Sequence, residues 1–397
     1  MEQVGGVPVE RIASTFGTPV FVYDGERIRD RFELLTRSLR HRPLEVYYSV
    51  KANPAVGILR LLRTLGARVD VSSPGDLAFA EAAGFRQDEV SFTGCGLAEC
   101  EYHLVADRPG MDFVADSLQQ VARIVTLAPG RPIGLRLNPE IEAGFHPHVR
   151  AGSSASRFGL RPYELADAVE LASARGCPVV GLHGHLGSDV FEVEPFLELA
   201  ELLCTVAATL PSVRWLNLGG GLGDPADSDA EGPQLRALDA GLSGILARLP
   251  RALRLRVEPG SYLTMSSGLL VARVTDVKPG GAPDGTVCVD ASSNLLVSVL
   301  VYDTHHPVWA VRPGEASRTY DVAGNLMQAG DVLARNRSLP KVAVGDLLAF
   351  GRCGAYSSSR STTFNNRGRP AEVLVLDGEA RLLRRREEPA DLLRFEA

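Results

Sequence analysis

The sequence lacks long apolar runs. No stretch among its 397 residues approaches the ~20 uncharged apolar residues that a transmembrane helix requires. The amino-terminal segment MEQVGGVPVERIASTFG also lacks the basic flank and apolar core of a secretory signal. We therefore expect a soluble, cytoplasmic protein with no membrane partner.

An excess of basic residues is also missing. The 48 Asp and Glu residues outnumber the 42 Lys and Arg residues, and no basic cluster suits a nucleic-acid backbone, so nucleic acid is not an expected partner. The cysteines form no CxxC pair and follow no regular spacing, which indicates free, buried thiols rather than disulfides or a zinc site. They are Cys95, Cys100, Cys177, Cys204, Cys288 and Cys353.

The order of apolar segments predicts two domains. Between residues 30 and 262, short apolar runs such as LEVYYSV alternate with amphipathic segments such as AVGILRLLRTLG, and about eight such runs would close a (β/α)8 barrel. Residues 263–397 show apolar runs between Gly, Pro and Asp turns, which indicate a β-rich domain. The strand-like run PVFVYD, in the amino-terminal segment 1–29, is expected to join that domain. Residues 223–234 are predicted to form a polar surface loop.

Polar residues follow the predicted barrel strands. In such barrels the loops after the carboxyl ends of the strands build the active site, so these residues are expected to converge on one face. They are Lys51, Asp70, Arg136, His185, the glycines 219–221 and Glu258.

Two of these residues suggest chemistry with a carbonyl cofactor. Lys51 follows the apolar run YYSV, and an amine with reduced solvation at a barrel mouth becomes a nucleophile toward carbonyl groups. A surface charge or a phosphate contact is the alternative for a lone lysine. Glu258, in VEPGSYL, is suited to hold a protonated pyridine nitrogen, whose cationic ring stabilises a carbanion.

Two further motifs have more than one interpretation. The Gly219–Gly221 run suits either anion binding by backbone N–H groups or a tight turn. His183 and His185 are expected to point to the same face of a strand. There they would cover a flat ring, pack in the core or ligate a metal. No HExxH motif or third ligand accompanies them, so no metal is predicted.

Together the motifs resemble those of the fold-type III pyridoxal-phosphate decarboxylases, the diaminopimelate and ornithine decarboxylase group, over roughly residues 15–375. The resemblance implies an alanine racemase-like barrel, pyridoxal 5'-phosphate as cofactor, and a homodimer with shared active sites. The motifs, in family order, are FGTPVFVYD, YYSVKANP, DVSSPGDL, LRLNP, SRFGL, HGHLGS, LGGGLG, EPG, LVYDTHHP and GAY.

The resemblance also assigns roles to individual residues. Lys51 would carry the cofactor as an imine, with Asp70 near it. His185 would stack on the cofactor ring, Glu258 would bond the ring nitrogen, and Arg136 would support the cofactor from the barrel. The remaining cofactor-binding residues are expected to be Ser188, Gly220, Gly221, Gly260 and Tyr356.

The expected substrate site departs from the family pattern. Ser261 and Ser298 stand where the family has arginines, and a hydroxyl cannot imitate a bidentate guanidinium, so diaminopimelate is not the expected substrate. The family's Cys-Glu-Ser-Gly-Asp segment aligns with MQAGD, so that the acid which completes decarboxylation would be Lys51, water or another group such as Cys353. The expected substrate-binding residues are Asp303, Ser298, Met327, Gln328 and Tyr356.

These departures shape the functional hypothesis. We expect a decarboxylase of specialised metabolism that removes the α-carboxylate of an amino-acid-derived small molecule or carrier-protein-linked substrate. Antibiotic or siderophore biosynthesis is the expected setting, with carrier-linked glutamate or a citryl-diamine as examples. An amino-acid racemase is the first alternative, although racemases of this fold pair the ring nitrogen with arginine. A non-catalytic binding protein is the second.

Overall fold

The computed structural model describes residues 3–41, 43–225, 231–249, 251–312, 314–315 and 317–396. The chain divides into two compact units, one formed by residues 30–262 and the other by residues 1–29 and 263–397. Of the predicted loop 223–234, residues 226–230 lie outside the described residues, and the loop prediction is wrong beyond them because a helix begins at Glu231.

The strands, in chain order, are β1 (Gln3–Val4), β2 (Val7–Pro8), β3 (Val20–Asp24), β4 (Leu44–Ser49), β5 (Arg68–Val71), β6 (Val90–Phe92), β7 (Asp112–Ala115), β8 (Ile133–Arg136), β9 (Val179–His183), β10 (Trp215–Asn217), β11 (Arg254–Val257), β12 (Gly268–Ala282), β13 (Gly285–Val289), β14 (Val308–Ala310), β15 (Arg318–Ala323), β16 (Val332–Leu339), β17 (Leu347–Phe350), β18 (Ala371–Leu376) and β19 (Glu379–Arg384).

The helices are α1 (Val9–Phe16), α2 (Gly25–Ser38), α3 (Val56–Thr64), α4 (Pro74–Ala82), α5 (Glu99–Ala106), α6 (Leu118–Leu127), α7 (Leu165–Ser173), α8 (Glu194–Thr209), α9 (Glu231–Leu246), α10 (Ser261–Thr264), α11 (Val297–Tyr302) and α12 (Pro389–Leu392). None of these described helices combines the length and the apolar character that crossing a bilayer requires.

The unit formed by residues 30–262 is a closed barrel of eight parallel strands. The strand order around it is β10-β11-β4-β5-β6-β7-β8-β9. In chain order, strands β4 to β10 are each followed by one of the helices α3 to α9. Apolar residues on the strands are buried, as in β9, where all five residues lie inside. The predicted eight-stranded parallel barrel is confirmed, and its geometry brings the carboxyl ends of all eight strands to one rim.

A large aromatic ring fills part of the barrel interior. The indole of Trp215 lies against Gly134 and Gly181, where an added Cβ would be 2.6 Å and 2.0 Å from ring atoms. The Arg256 guanidinium stacks on the same ring at 4.1 Å and bonds the carboxylates of Glu45 and Asp112, each at 2.8 Å. Small residues on two strands thus make room for one indole and one paired charge.

Replacing Gly181 with alanine should destabilise the barrel. The new methyl group would overlap a rigid ring that cannot withdraw, and overpacking of this kind typically costs about 1–3 kcal/mol or more. Thermal unfolding should show a lower midpoint. Gly244→Ala is the matched control, because Gly244 lies in α9 with nothing within 4 Å of an added Cβ, and alanine should raise the midpoint there. Equal midpoints for the two variants would contradict this packing.

The second unit is β-rich, as predicted. Its main sheet runs β16-β15-β13-β12-β3-β18-β19, with β17 paired to both β12 and β14. Strand β3 comes from the amino-terminal segment and pairs antiparallel with β12 and parallel with β18. Val22, Val271 and Val373 from these three strands are fully buried in its core.

The prediction of buried cysteine thiols holds in part. All six cysteines are free. Cys177, Cys204 and Cys353 are buried. The prediction of burial is wrong for Cys100, which is exposed at the first turn of α5, and only partly met by Cys95 and Cys288.

Candidate active site

Lys51 lies in the turn that directly follows a barrel strand. Strand β4 stops at Ser49, and Val50–Ala52 forms a single 3-10 turn that the Asn53 side chain helps to end, since its Oδ1 accepts the N–H of Ala55 at 3.1 Å. The Lys51 side chain is 46% exposed, and its Nζ is 3.3 Å from Oδ2 of Asp70 at the end of β5. The amine is therefore accessible at the barrel rim, with a carboxylate below it.

Asp70 is unusual because it is buried. Burial raises the pKa of this carboxyl group to about 7, and the nearby negative charge of Glu258 adds to the effect. The ammonium group of Lys51 opposes both. Asp70 is thus poised between its charged and neutral forms near neutral pH, and the charge on Lys51 helps to decide between them.

An Asp70→Asn variant should become relatively more stable as the pH rises. The folded protein binds the Asp70 proton more tightly than the unfolded chain does, so the wild-type protein loses stability between about pH 4 and pH 7, whereas asparagine does not titrate. In the cofactor-free protein the difference in unfolding free energy should grow by up to about 4 kcal/mol across that window. Unfolding midpoints measured from pH 4 to pH 8 test this, and a difference that is constant with pH would contradict it.

Glu258 is held by two side chains from the neighbouring strands. Its Oε1 accepts a hydrogen bond from Nδ2 of Asn217 at 2.7 Å, and its Oε2 lies 3.0 Å from Nε2 of His183. Strands β9, β10 and β11 are adjacent in the barrel, which brings the three residues together. Burial alone would raise the pKa of Glu258, but His183 and then the charge of Lys51 outweigh it and lower the pKa to about 2. The carboxylate is therefore ionised.

His185 is a neutral imidazole. The N–H of Gly220 donates to its Nδ1 at 3.1 Å, so that nitrogen carries no proton. Burial, together with the positive charges of Arg136 and Lys51, holds the pKa of His185 well below its usual value. The ring is thus fixed in orientation and uncharged at the pH of the cell.

The glycine run is required by the turn itself. Gly219 and Gly221 have φ values of +67° and +95°, in the left-handed region that favours glycine. A Cβ on Gly220 would be 2.2 Å from the carbonyl oxygen of Glu258. The tight-turn interpretation therefore accounts for all three glycines, and anion binding by this turn remains a prediction.

Arg136 ends strand β8 and is braced on two sides. Its Nη1 is 3.5 Å from Oδ1 of Asp116, and its guanidinium lies 4.7 Å above the ring of Phe158. Of the other predicted cofactor residues in this unit, Ser188 is half-buried in the segment after β9, and Gly260 is buried three residues after the end of β11.

The remaining predicted residues belong to the second unit. Asp303 is exposed at the end of α11 with a φ of +51°, and Tyr356 is half-buried with a φ of +54°. Met327 is 92% exposed, and Gln328 beside it is also exposed. Ser298 donates its hydroxyl to Nε2 of His306 at 3.0 Å.

Cys353 is fully buried, and burial raises the pKa of its thiol to about 12. The thiol is therefore protonated at neutral pH. Its role as the donor of the proton after decarboxylation stays a prediction.

The partners of the charged residues are not evident from the sequence. Asn217 was not singled out, the pairing of His183 with Glu258 was not foreseen, and Asp116 was not connected with Arg136. Their positions in the chain are the signal that the sequence offers. His183 and Asn217 are the last residues of two adjacent barrel strands, and Glu258 directly follows the last residue of the next strand.

Comparison with known proteins shows similarity over almost the whole chain. The family model described as pyridoxal-dependent decarboxylase, pyridoxal binding domain, matches residues 25–265. The diaminopimelate decarboxylase of Methanothermobacter thermautotrophicus is 35% identical over 407 residues, covering 98% of this chain and 94% of that protein. The Pseudomonas aeruginosa enzyme of the same name is 35% identical over 401 residues, with the same two coverages.

Solved structures give the same result. The diaminopimelate decarboxylase of Helicobacter pylori, crystallised with L-lysine, superposes with a TM-score of 0.91 at 28% identity and covers 98% of each chain. The M. jannaschii enzyme, also with L-lysine, gives a TM-score of 0.90 at 27% identity, covering 100% of this chain and 99% of that one. This protein is a carboxy-lyase that uses pyridoxal 5'-phosphate, and it belongs to the fold-type III pyridoxal-dependent decarboxylase family.

Proposed function

We propose that this protein removes the α-carboxylate of an amino acid at the barrel rim, and that Lys51, His185 and Glu258 contact the cofactor. The observation that carries the proposal is the arrangement of an accessible amine beside buried Asp70, with the ionised carboxylate of Glu258 close enough for Lys51 to lower its pKa. An isolated surface lysine would have neither neighbour.

The side chains at the rim fit pyridoxal phosphate chemically. The amine suits an aldehyde, the neutral imidazole of His185 suits the face of a flat ring, and the buried anion of Glu258 suits a ring N–H. When bound, the cofactor supplies an aldehyde for the amine and a cationic ring that accepts the electrons released as carbon dioxide departs.

The chain's own residues would then bind, orient and move a proton. Lys51 would hold the cofactor and afterwards carry a proton on Nζ, with Asp70 below to accept or release it. His185 would fix the ring plane, and Arg136, braced by Asp116, would hold an oxygen of the cofactor. The remaining proposed contacts are Ser188, Gly220, Gly221, Gly260 and Tyr356.

Diaminopimelate is the first candidate substrate, because the relatives at 35% identity carry that name. A second class, amino acids without a free distal carboxylate, is favoured by two residues. Ser261 is buried three residues after Glu258, and the Ser298 hydroxyl is already hydrogen-bonded to His306. Neither offers the bidentate donor that a carboxylate prefers. Carrier-linked glutamate of specialised metabolism, whose distal carboxyl group is bound to the carrier, belongs to this second class.

We also propose a two-fold homodimer with shared active sites. The 92% exposure of Met327 supports it, because the resemblance places this position where one subunit enters the site of the other. Light scattering at micromolar concentration should give twice the 42.5 kDa chain mass.

A substrate panel tests the proposed reaction. Cofactor-loaded protein should release carbon dioxide from one of meso-diaminopimelate, L-lysine, L-ornithine and carrier-loaded glutamate, and the Lys51→Ala variant should release none. If the substrate belongs to the second class, diaminopimelate should give no gas, and Ser261→Arg with Ser298→Arg should increase the release from diaminopimelate. Racemisation of any of these compounds without gas would contradict decarboxylation.

A further inference from the structure

Glu258 is part of a closed set of hydrogen bonds inside the barrel. Asn217 donates from Nδ2 to the carboxylate at 2.7 Å, and its Oδ1 accepts the N–H of Gly219 at 2.9 Å. The Gly219 carbonyl in turn accepts the backbone N–H of Glu258 at 2.7 Å. Asn217 therefore fixes both the side chain of Glu258 and the turn beside it.

His183 supplies the second donor. It is 1% exposed, and its Nε2 must carry the hydrogen, since the ionised carboxylate of Glu258 can only accept. The opposite nitrogen, Nδ1, is buried without a hydrogen-bond partner among the described residues. Burying an imidazole with one nitrogen unsatisfied costs free energy of folding. The side-chain hydrogen bond that His183 makes in this environment is the one to Glu258.

The proton shared by a carboxylate and a pyridine nitrogen stays with the stronger base. In a dry site burial favours the neutral pair, in which the acid holds the proton and the ring is uncharged. Each hydrogen bond donated to the carboxylate weakens it as a base and moves the proton toward the ring. The other titratable groups near Glu258 are Lys51, Asp70 and the neutral His185, and the charge of Lys51 works in the same direction as the two donors.

We propose that His183 and Asn217 are positioning residues that keep the Glu258 carboxylate a weaker base than the cofactor ring, so that the ring nitrogen stays protonated. This inference rests on the proposed contact between Glu258 and the ring. It adds two residues that act through Glu258 and do not themselves touch the substrate.

The ¹⁵N chemical shift of the ring nitrogen tests the inference without any turnover. Protein loaded with ¹⁵N-labelled pyridoxal phosphate should show a protonated nitrogen in the wild type. In His183→Leu and in Asn217→Leu the resonance should move toward the chemical shift of an unprotonated nitrogen. Each lost donor should change the protonation equilibrium of the ring nitrogen about tenfold. His183→Gln keeps an amide donor and should restore most of the wild-type shift.

A buried asparagine that does not touch Glu258 is the control. Asn138 is 1% exposed and donates to the carbonyls of Ser153 and Phe158, so Asn138→Leu should lower stability and leave the ¹⁵N resonance in place. If the leucine variants do not fold, His183→Ala and Asn217→Ala remove the same donors without adding bulk, with the same expected displacement.

The outcomes separate this inference from the proposed function. If Glu258→Gln moves the resonance while the His183 and Asn217 variants do not, the inference is wrong and the contact of Glu258 with the ring stands. If Glu258→Gln also leaves the resonance unchanged, the proposed contact itself is wrong.

Discussion

Replacing Lys51 with alanine should reduce carbon dioxide release by at least about 10³-fold, because the variant loses both the amine that holds the cofactor and a proton carrier. The chain has three lysines, and Lys278 and Lys341 are exposed residues of the second unit. Release is measured with the best substrate of the panel under saturating cofactor.

Two variants separate the functions of Lys51. Lys51→Arg keeps a positive charge beside Asp70 but is too weak a nucleophile for an aldehyde, so it should be as inactive as the alanine variant. Lys278→Ala removes an exposed lysine that pairs only loosely with Asp276, at 3.7 Å, and should retain the wild-type rate. If Lys51→Arg retains activity, Lys51 serves as a charge and not as a nucleophile.

Replacing Glu258 with glutamine should lower kcat by about 10²–10³-fold, the range seen when one preorganised electrostatic partner is removed from an active site. Glutamine is neutral and nearly isosteric, so it fills the same space without holding a positive charge on the ring nitrogen. KM should change little, since the substrate does not contact this side chain in the proposed arrangement. Steady-state kinetics at saturating cofactor measure both constants.

A second buried glutamate serves as the control for that experiment. Glu372 is 1% exposed in the other unit, accepts the Tyr23 hydroxyl at 2.6 Å and pairs with Arg384 at 3.1 Å. Glu372→Gln should lower the unfolding midpoint and leave kcat near the wild-type value. Equal losses of kcat in the two variants would indicate that burial, and not contact with the ring, explains the effect of Glu258.

The alternation of apolar runs and helices was sufficient to predict the barrel, but not all of its strands. Strands β6 (Val90–Phe92) and β10 (Trp215–Asn217) have only three residues each, too few to show a period. The formation of such short strands depends on pairing with their neighbours rather than on local sequence.

The same limit explains what was missed at the rim. Lys51, Arg136 and Glu258 are visible in the sequence because charged residues directly follow apolar runs. Asn217 ends the short run WLN and has no charge, so its bond to Glu258 follows only from the adjacency of β10 and β11. Which side chains pair across a barrel is decided by strand order, and that order appears only when the barrel closes.

Covalent mapping of the cofactor is the most direct test of the central claim, that one amine at the barrel rim holds pyridoxal phosphate. The loaded protein is treated with borohydride, digested and analysed by mass spectrometry. We expect the reduced cofactor on the peptide that contains Lys51 and on neither peptide that contains Lys278 or Lys341. Attachment at one of those exposed lysines, or at none of the three, would contradict the account.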